Sequence, residues 1–323
     1  MTTTSTEHLT GYDATLENAS LITRPDANYL RIGGEDRVDY LHRQTTNDVN
    51  LLGPERAVLT VLTSPTARIY DVLLLVDEGE TIGVVTLPGR GPATAAYFQG
   101  RIFFMDKVTV EDISADVAQF DLEGPQAATT LVSLGLAKAP ALDEVLAFYT
   151  EGVEVRVVGR EGLAGMGYRL LAPTSASGAV ASALSDAGAA PLDAASYEVL
   201  RVEAGLPGPN ELTEDYTPLE TDLARAVSET KGCYTGQEII ARQITYDKVT
   251  KQLARLRLDA RVEEGAQVMA EGKSVGAVTS VVESPRYGPI ALAVVKRPHH
   301  QPGSQLVIGG DEGETAAEVG EFP

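Results

Sequence analysis

The only cysteine of the chain, Cys233, stands in the run Lys231-Gly232-Cys233-Tyr234-Thr235-Gly236-Gln237-Glu238. A thiolate is a nucleophile and a metal ligand, and a neighbouring cation or the positive end of a helix favours it over the thiol. Lys231 supplies a cation two residues away. Thr235 and Glu238 have the spacing of a capping box, so a helix is expected to begin at Thr235 and to continue through Ile239, Ile240, Ala241 and Arg242. Cys233 would then sit just upstream of the helix start, prepared for chemistry or for holding a ligand through sulfur. The competing reading is packing, because a lone free cysteine is among the most buried residue types and is ordinarily inert.

Other chemistry-bearing residues are sparser. Asp71 interrupts the otherwise apolar run 69–76, and an acid in a buried strand needs a partner or water. It reads either as an edge carboxylate in solvent or as a ligand contact. Asn47 and Asp48 fall in the polar turn 45–49, where such side chains bond nearby backbone. His8, His42, His299 and His300 have no zinc-ligand spacing and no C-x-x-C accompanies Cys233, so no structural metal site is expected. Gly89-Arg90-Gly91 lacks the third glycine of a dinucleotide-binding turn, and Gly272-Lys273-Ser274 lacks the leading glycine of a phosphate loop and reads as a hairpin turn.

The elements that must position these residues follow from periodicity. Val38 and Leu41 predict a helix over 36–44, and the runs 58–63, 69–76 and 81–86 predict strands. Residues 92–104 and 125–134 read as helices with an extended run at 108–113 between them. Strands are expected at 153–158 and 166–171, then an alanine-rich helix at 175–187. Asp193 is placed to cap a helix reaching about Ala204, which Gly205 and the following prolines end. Helices and strands alternate without a strict repeat, which favours an α+β arrangement over a doubly wound sheet. From Lys251 onward, Arg255 and Arg257 alternate with Leu256 and Leu258, and short strands at 274–282 and 290–295 predict a small β-barrel. The acidic, glycine-rich tail 309–323 is expected to fray.

With 323 residues, 43% of them hydrophobic, the chain can build two or three cored domains. No apolar run reaches bilayer length, and Met1 to Glu7 lacks the basic and apolar parts of a signal peptide, so a cytoplasmic protein without a membrane partner is expected. A net charge of -20, from 46 acidic against 26 basic residues, argues against direct nucleic-acid binding. The same excess is what a salt-adapted surface would carry.

The octet 231–238 resembles the signature of the YgfZ family, folate-binding relatives of the glycine-cleavage T-protein (aminomethyltransferase). Gln44 to Val49, Arg201 to Pro207, Gly276 to Ser280, Ser284-Pro285 and Ile290 to Ala293 agree in order, so the resemblance spans nearly the whole chain. It implies two interleaved α+β subdomains over 1–245, around a central folate-sized opening, and a C-terminal β-barrel over 246–323. It also implies tetrahydrofolate or a one-carbon derivative as cofactor. Iron–sulfur enzymes or assembly proteins become partners in maturation or repair, with tRNA modification as an indirect outcome. Glu203 matches the acid that grips the pterin edge in the T-protein, though an exposed helix glutamate is the alternative. Arg242 or Arg201 would meet the folate carboxylates, unless Arg201 pairs locally with Glu198 or Glu203. Asn47, Asp48, Tyr234, Gln237 and Glu238 complete the expected site. The T-protein's Asp-Asp pair is reduced here to Asp71, and its asparagine is absent near 86–88. Folate-dependent aminomethyl transfer or demethylation therefore stands as the alternative to an accessory role, with Cys233, Lys231 and Asp71 as the candidate catalytic groups. One sulfur cannot complete a cluster's ligand set, so any cluster would be shared with other thiols.

Overall fold

Runs rich in β-branched and leucine residues, bounded by turn-formers, become strands, and here they sort into two sheets that the chain visits in turn. The computed structural model describes residues 9–310 and 313–322; the leader reading of Met1 to Glu7, and His8, fall outside the described residues. The chain opens with α1 (Tyr12–Glu17) and β1 (Ala19–Thr23), then leaves to build a second sheet from β2 (Tyr29–Gly33), α2 (Arg37–Gln44), β3 (Val58–Thr63), β4 (Ile69–Asp77), β5 (Thr81–Val85), α3 (Gly91–Gln99) and β6 (Thr109–Asp112). It returns through β7 (Val117–Glu123), α4 (Ala127–Ser133), β8 (Val145–Thr150), β9 (Val153–Gly162), β10 (Gly165–Pro173), α5 (Ser177–Asp186), β11 (Ala189–Pro191) and α6 (Ala194–Ala204). The first sheet has the order β11-β1-β7-β10-β9-β8 and the second β3-β4-β5-β2-β6. Because β1 belongs with strands that follow the whole second sheet, the two α+β subdomains are interleaved.

Side-chain alternation assigns the faces. On β7, Phe120 and Leu122 point to a core shared with α4 and α5, including Leu131, Val180 and Leu184. The opposite face of the first sheet meets the second sheet through Val145, Val158 and Leu171 against Tyr29, Val76 and Val85. On the far side of the second sheet, Tyr40, Leu41 and Phe98 from α2 and α3 cover Ile32, Leu73 and Val84.

After α7 (Gln237–Thr245) come β12 (Lys251–Leu258), β13 (Gln267–Ala270), β14 (Lys273–Ser284), β15 (Gly288–Lys296), β16 (Gln305–Gly310) and β17 (Gly313–Val319), which close as a six-stranded barrel. The expectation that the tail frays is overturned for its described residues: β17 pairs with both β16 and β12, and Phe322 is buried. Ala317 and Val319 face inward while Glu314 and Glu318 face water, so the acidic residues are the solvent side of a strand. The helix expected over 92–104 stops at Gln99, leaving Phe103, Phe104 and Met105 exposed on the loop that follows. Among the described residues no helix is long and apolar enough to cross a membrane.

Candidate functional site

The octet loop is anchored on both flanks. The Lys231 ammonium donates to the carbonyls of His42, Thr45 (2.6 Å) and Asn47 (3.0 Å), which accounts for its three hydrogens. Burial lowers its pKa to about 8. Its Nζ also lies 5.1 Å from the Tyr234 ring centroid. Tyr234 is buried with Ala67, Val227 and Ile240, and burial raises its phenol to about 12. Thr63 donates its hydroxyl to the Thr235 carbonyl at 2.6 Å, and Gln237 donates its amide to the Lys231 carbonyl at 3.4 Å. Between these fixtures, Gly232 and Cys233 are exposed.

Two expectations about this loop are corrected. The helix begins at Gln237, with Gly236 at φ 85° in the N-cap position and no side-chain cap, so Thr235 and Glu238 form no capping box. A β-carbon on residue 236 would come 2.7 Å from the Ser64 carbonyl oxygen and 2.9 Å from Ala67 Cα, so the close approach of the β3–β4 turn sets the geometry instead. Cys233 therefore sits more than a turn before the helix, and the charge of Lys231 is committed to three carbonyls.

The remaining candidates separate. Asn47 donates to the carbonyls of Leu59 (2.8 Å) and Arg225 (3.1 Å), and its oxygen accepts from the Asp48 amide. Asp48 accepts from the Asn50 amide and pairs with His42 at 3.3 Å. Both residues thus serve their own turn. Asp71 is neither at an edge nor in water: it is fully buried and accepts from the amides of Val72 (2.8 Å) and Leu87 (3.1 Å) and from the Thr94 hydroxyl. Burial outweighs these bonds and raises its pKa to about 6. Arg201 spends all five N–H groups on Glu198, Glu211, Ser280 and the Leu206 carbonyl, so a folate carboxylate would find no free donor on it. Glu238 and Arg242 are exposed and make no side-chain hydrogen bond or ion pair among the described residues.

Glu203 is buried, not the exposed helix glutamate of the alternative reading. Asp193 caps α6 by accepting from the Ser196 amide, and Gly205 ends it in the left-handed conformation, which aims Glu203 between α1 and the barrel. One carboxylate oxygen accepts from Tyr12 (2.5 Å) and Ser284 (2.6 Å). The other, 3.7 Å from the Arg286 guanidinium, is buried without a hydrogen bond. A buried orphan acceptor is costly, so the site fits a donor from outside. A parallel two-bond grip using both oxygens does not fit, because the first is occupied.

One cluster escaped the sequence reading. On the face of the first sheet that meets the second, Asp121 and Glu123 are fully buried and are surrounded by Arg24, Arg160 and Arg169. The three guanidiniums hold the Asp121 carboxyl far below the usual range against its burial. Residues 119, 121 and 123 alternate with Phe120 and Leu122, a half-polar strand pattern that could have marked β7. Two clefts, about 330 Å³ beside Arg24 and about 660 Å³ beside Arg297 and His300, are not lined by Cys233, Asp71 or Glu203.

Comparison with known proteins gives a consistent answer over most of the chain. The family model for the GCVT N-terminal domain matches residues 5–231, and that for the glycine cleavage T-protein C-terminal barrel domain matches 251–323. A protein of Natronomonas pharaonis named as a probable aminomethyltransferase is 31% identical over 96% of this chain and 89% of its own. A chloroplastic protein of Arabidopsis thaliana whose name gives only transferase is 30% identical over 90% of this chain and 68% of its own. The solved glycine cleavage system aminomethyltransferase T from Bartonella henselae shares the fold, with a TM-score of 0.83 over 97% of this chain and 88% of that one at 23% identity.

Proposed function

The chain belongs to the glycine-cleavage T-protein family, and from that premise we propose that it is a folate-binding protein of the YgfZ branch, acting through Cys233 in iron–sulfur enzyme maturation or repair and, through those enzymes, in tRNA modification. The observation that carries this reading is the octet loop: its frame is pinned by Lys231 and Tyr234 while its one thiol is left in solvent. Packing alone gives no reason to anchor a loop so firmly around an exposed sulfur. Glu203 would receive an N–H of the pterin on the oxygen that accepts no hydrogen bond, with Tyr12 and Ser284 fixing the carboxylate. Bound folate supplies a carrier for a one-carbon unit. Cys233→Ser should abolish support of iron–sulfur enzymes in cells lacking the native protein while tetrahydrofolate binding survives. Equal complementation by the variant would reject the role.

The names of the relatives favour a second reading, aminomethyl transfer to folate. The burial of Asp71 behind Thr94 and two backbone amides weighs against it, since an acid that assists chemistry must reach the reacting atoms. Formation of methylenetetrahydrofolate from an aminomethyl carrier, lost in Asp71→Asn, would establish that reading instead.

A further inference from the structure

The chain crosses between its two sheets twice, through residues 24–28 on the way out and 113–116 on the way back, and a cleft of about 330 Å³ opens where the crossings meet the start of α5. That volume lies in the range of small-molecule sites, which favour seams between structural units. Val117 and Phe120 give it apolar walls, and Arg24 is its single charged lining residue.

Arg24 is unlike Arg201. One of its N–H groups donates to Asp121 at 3.2 Å, and the Tyr197 ring lies 5.0 Å from the guanidinium carbon. Asp26 stands 3.8 Å from its Nε but is 59% exposed and largely solvated. Three guanidiniums, Arg24, Arg160 and Arg169, thus face two buried carboxylates, Asp121 and Glu123, and Arg24 is the one of the three that lines the cleft. Gln119, 3% exposed, donates an amide hydrogen to the Asn28 carbonyl and lines the cleft together with Ser177. A guanidinium only 15% exposed, hydrogen-bonded to one buried carboxylate and set beside apolar walls, suits a charged group with a hydrophobic body.

We infer that this seam cleft is a binding site for a small anion, a carboxylate or phosphate carried on an apolar body, with Arg24 as its counter-ion. The site is independent of the folate reading, which uses none of these residues.

Benzoate and phenyl phosphate, titrated calorimetrically into the full-length protein, separate the two anion classes. Saturable one-to-one binding of at least one probe is expected, weakened about tenfold or more in Arg24→Gln by loss of a charge-assisted bond. Ser177→Trp, which fills the cleft and leaves the charge cluster intact, should abolish it too, so the idea stays testable if Arg24→Gln fails to fold. Tetrahydrofolate binding should be unchanged in Ser177→Trp. Absence of saturable binding by either probe, or wild-type affinity in Ser177→Trp, would overturn the site.

Discussion

Cys233 stays accessible on a loop whose flanking residues, Lys231 and Tyr234, are buried. Lys231 could be singled out from sequence as a cation near sulfur, but its role is to staple the loop to the end of α2, since a side chain's direction cannot be read from spacing. Replacing it with Met strands three carbonyls. A loss of about 1–3 kcal/mol is expected, with faster amide exchange over 231–236 in hydrogen-exchange measurements. Asp71 carries a pH signature. Its folded pKa of about 6 lies above the unfolded 3.8, so its contribution to stability is full below 3.8 and is lost as pH rises through about 6. Asp71→Asn, neutral throughout, should lack this decline; urea midpoints measured at about pH 4 and about pH 7 would show it. A wild-type profile in the variant would mean that Asp71 is not the group that titrates. The burial of Glu203 was not legible from α6 alone, because the barrel and α1 that bury it come from opposite ends of the chain.

Among the elements, those with an intact period were legible and those with mixed faces were not. The strand at 58–63 and the Asp193 cap with its Gly205 stop appear where the sequence places them. β7 was missed because Asp121 and Glu123 break its apolar run, and their guanidinium partners come from β1, β9 and β10 or the adjoining segment. The helix start at Gln237 shows tertiary contact overriding a local capping signal: Gly236 holds a left-handed backbone against the β3–β4 turn. Gly236→Ala should therefore cost about 1–3 kcal/mol and displace the loop, seen as a lower melting temperature and altered Cys233 labelling. A neutral substitution would place the loop's rigidity elsewhere.

At the scale of the molecule, the barrel was legible from its alternation, whereas the interleaving came only with the family resemblance, because β1 finds its partners beyond an entire second sheet. The net charge of -20 is a property of this scale too. If the surface is salt-adapted, screening of carboxylate repulsion should raise the unfolding midpoint between low and molar KCl; an unchanged midpoint would mark an ordinary acidic protein. The proposed function joins a folate site at Glu203 to a thiol that acts apart from it. Isothermal titration of tetrahydrofolate into the wild-type, Glu203→Ala and Cys233→Ser proteins tests it most directly. Saturable binding is expected that Cys233→Ser leaves intact and Glu203→Ala weakens about tenfold or more; undiminished binding in Glu203→Ala, or no binding to the wild type, would overturn the folate site.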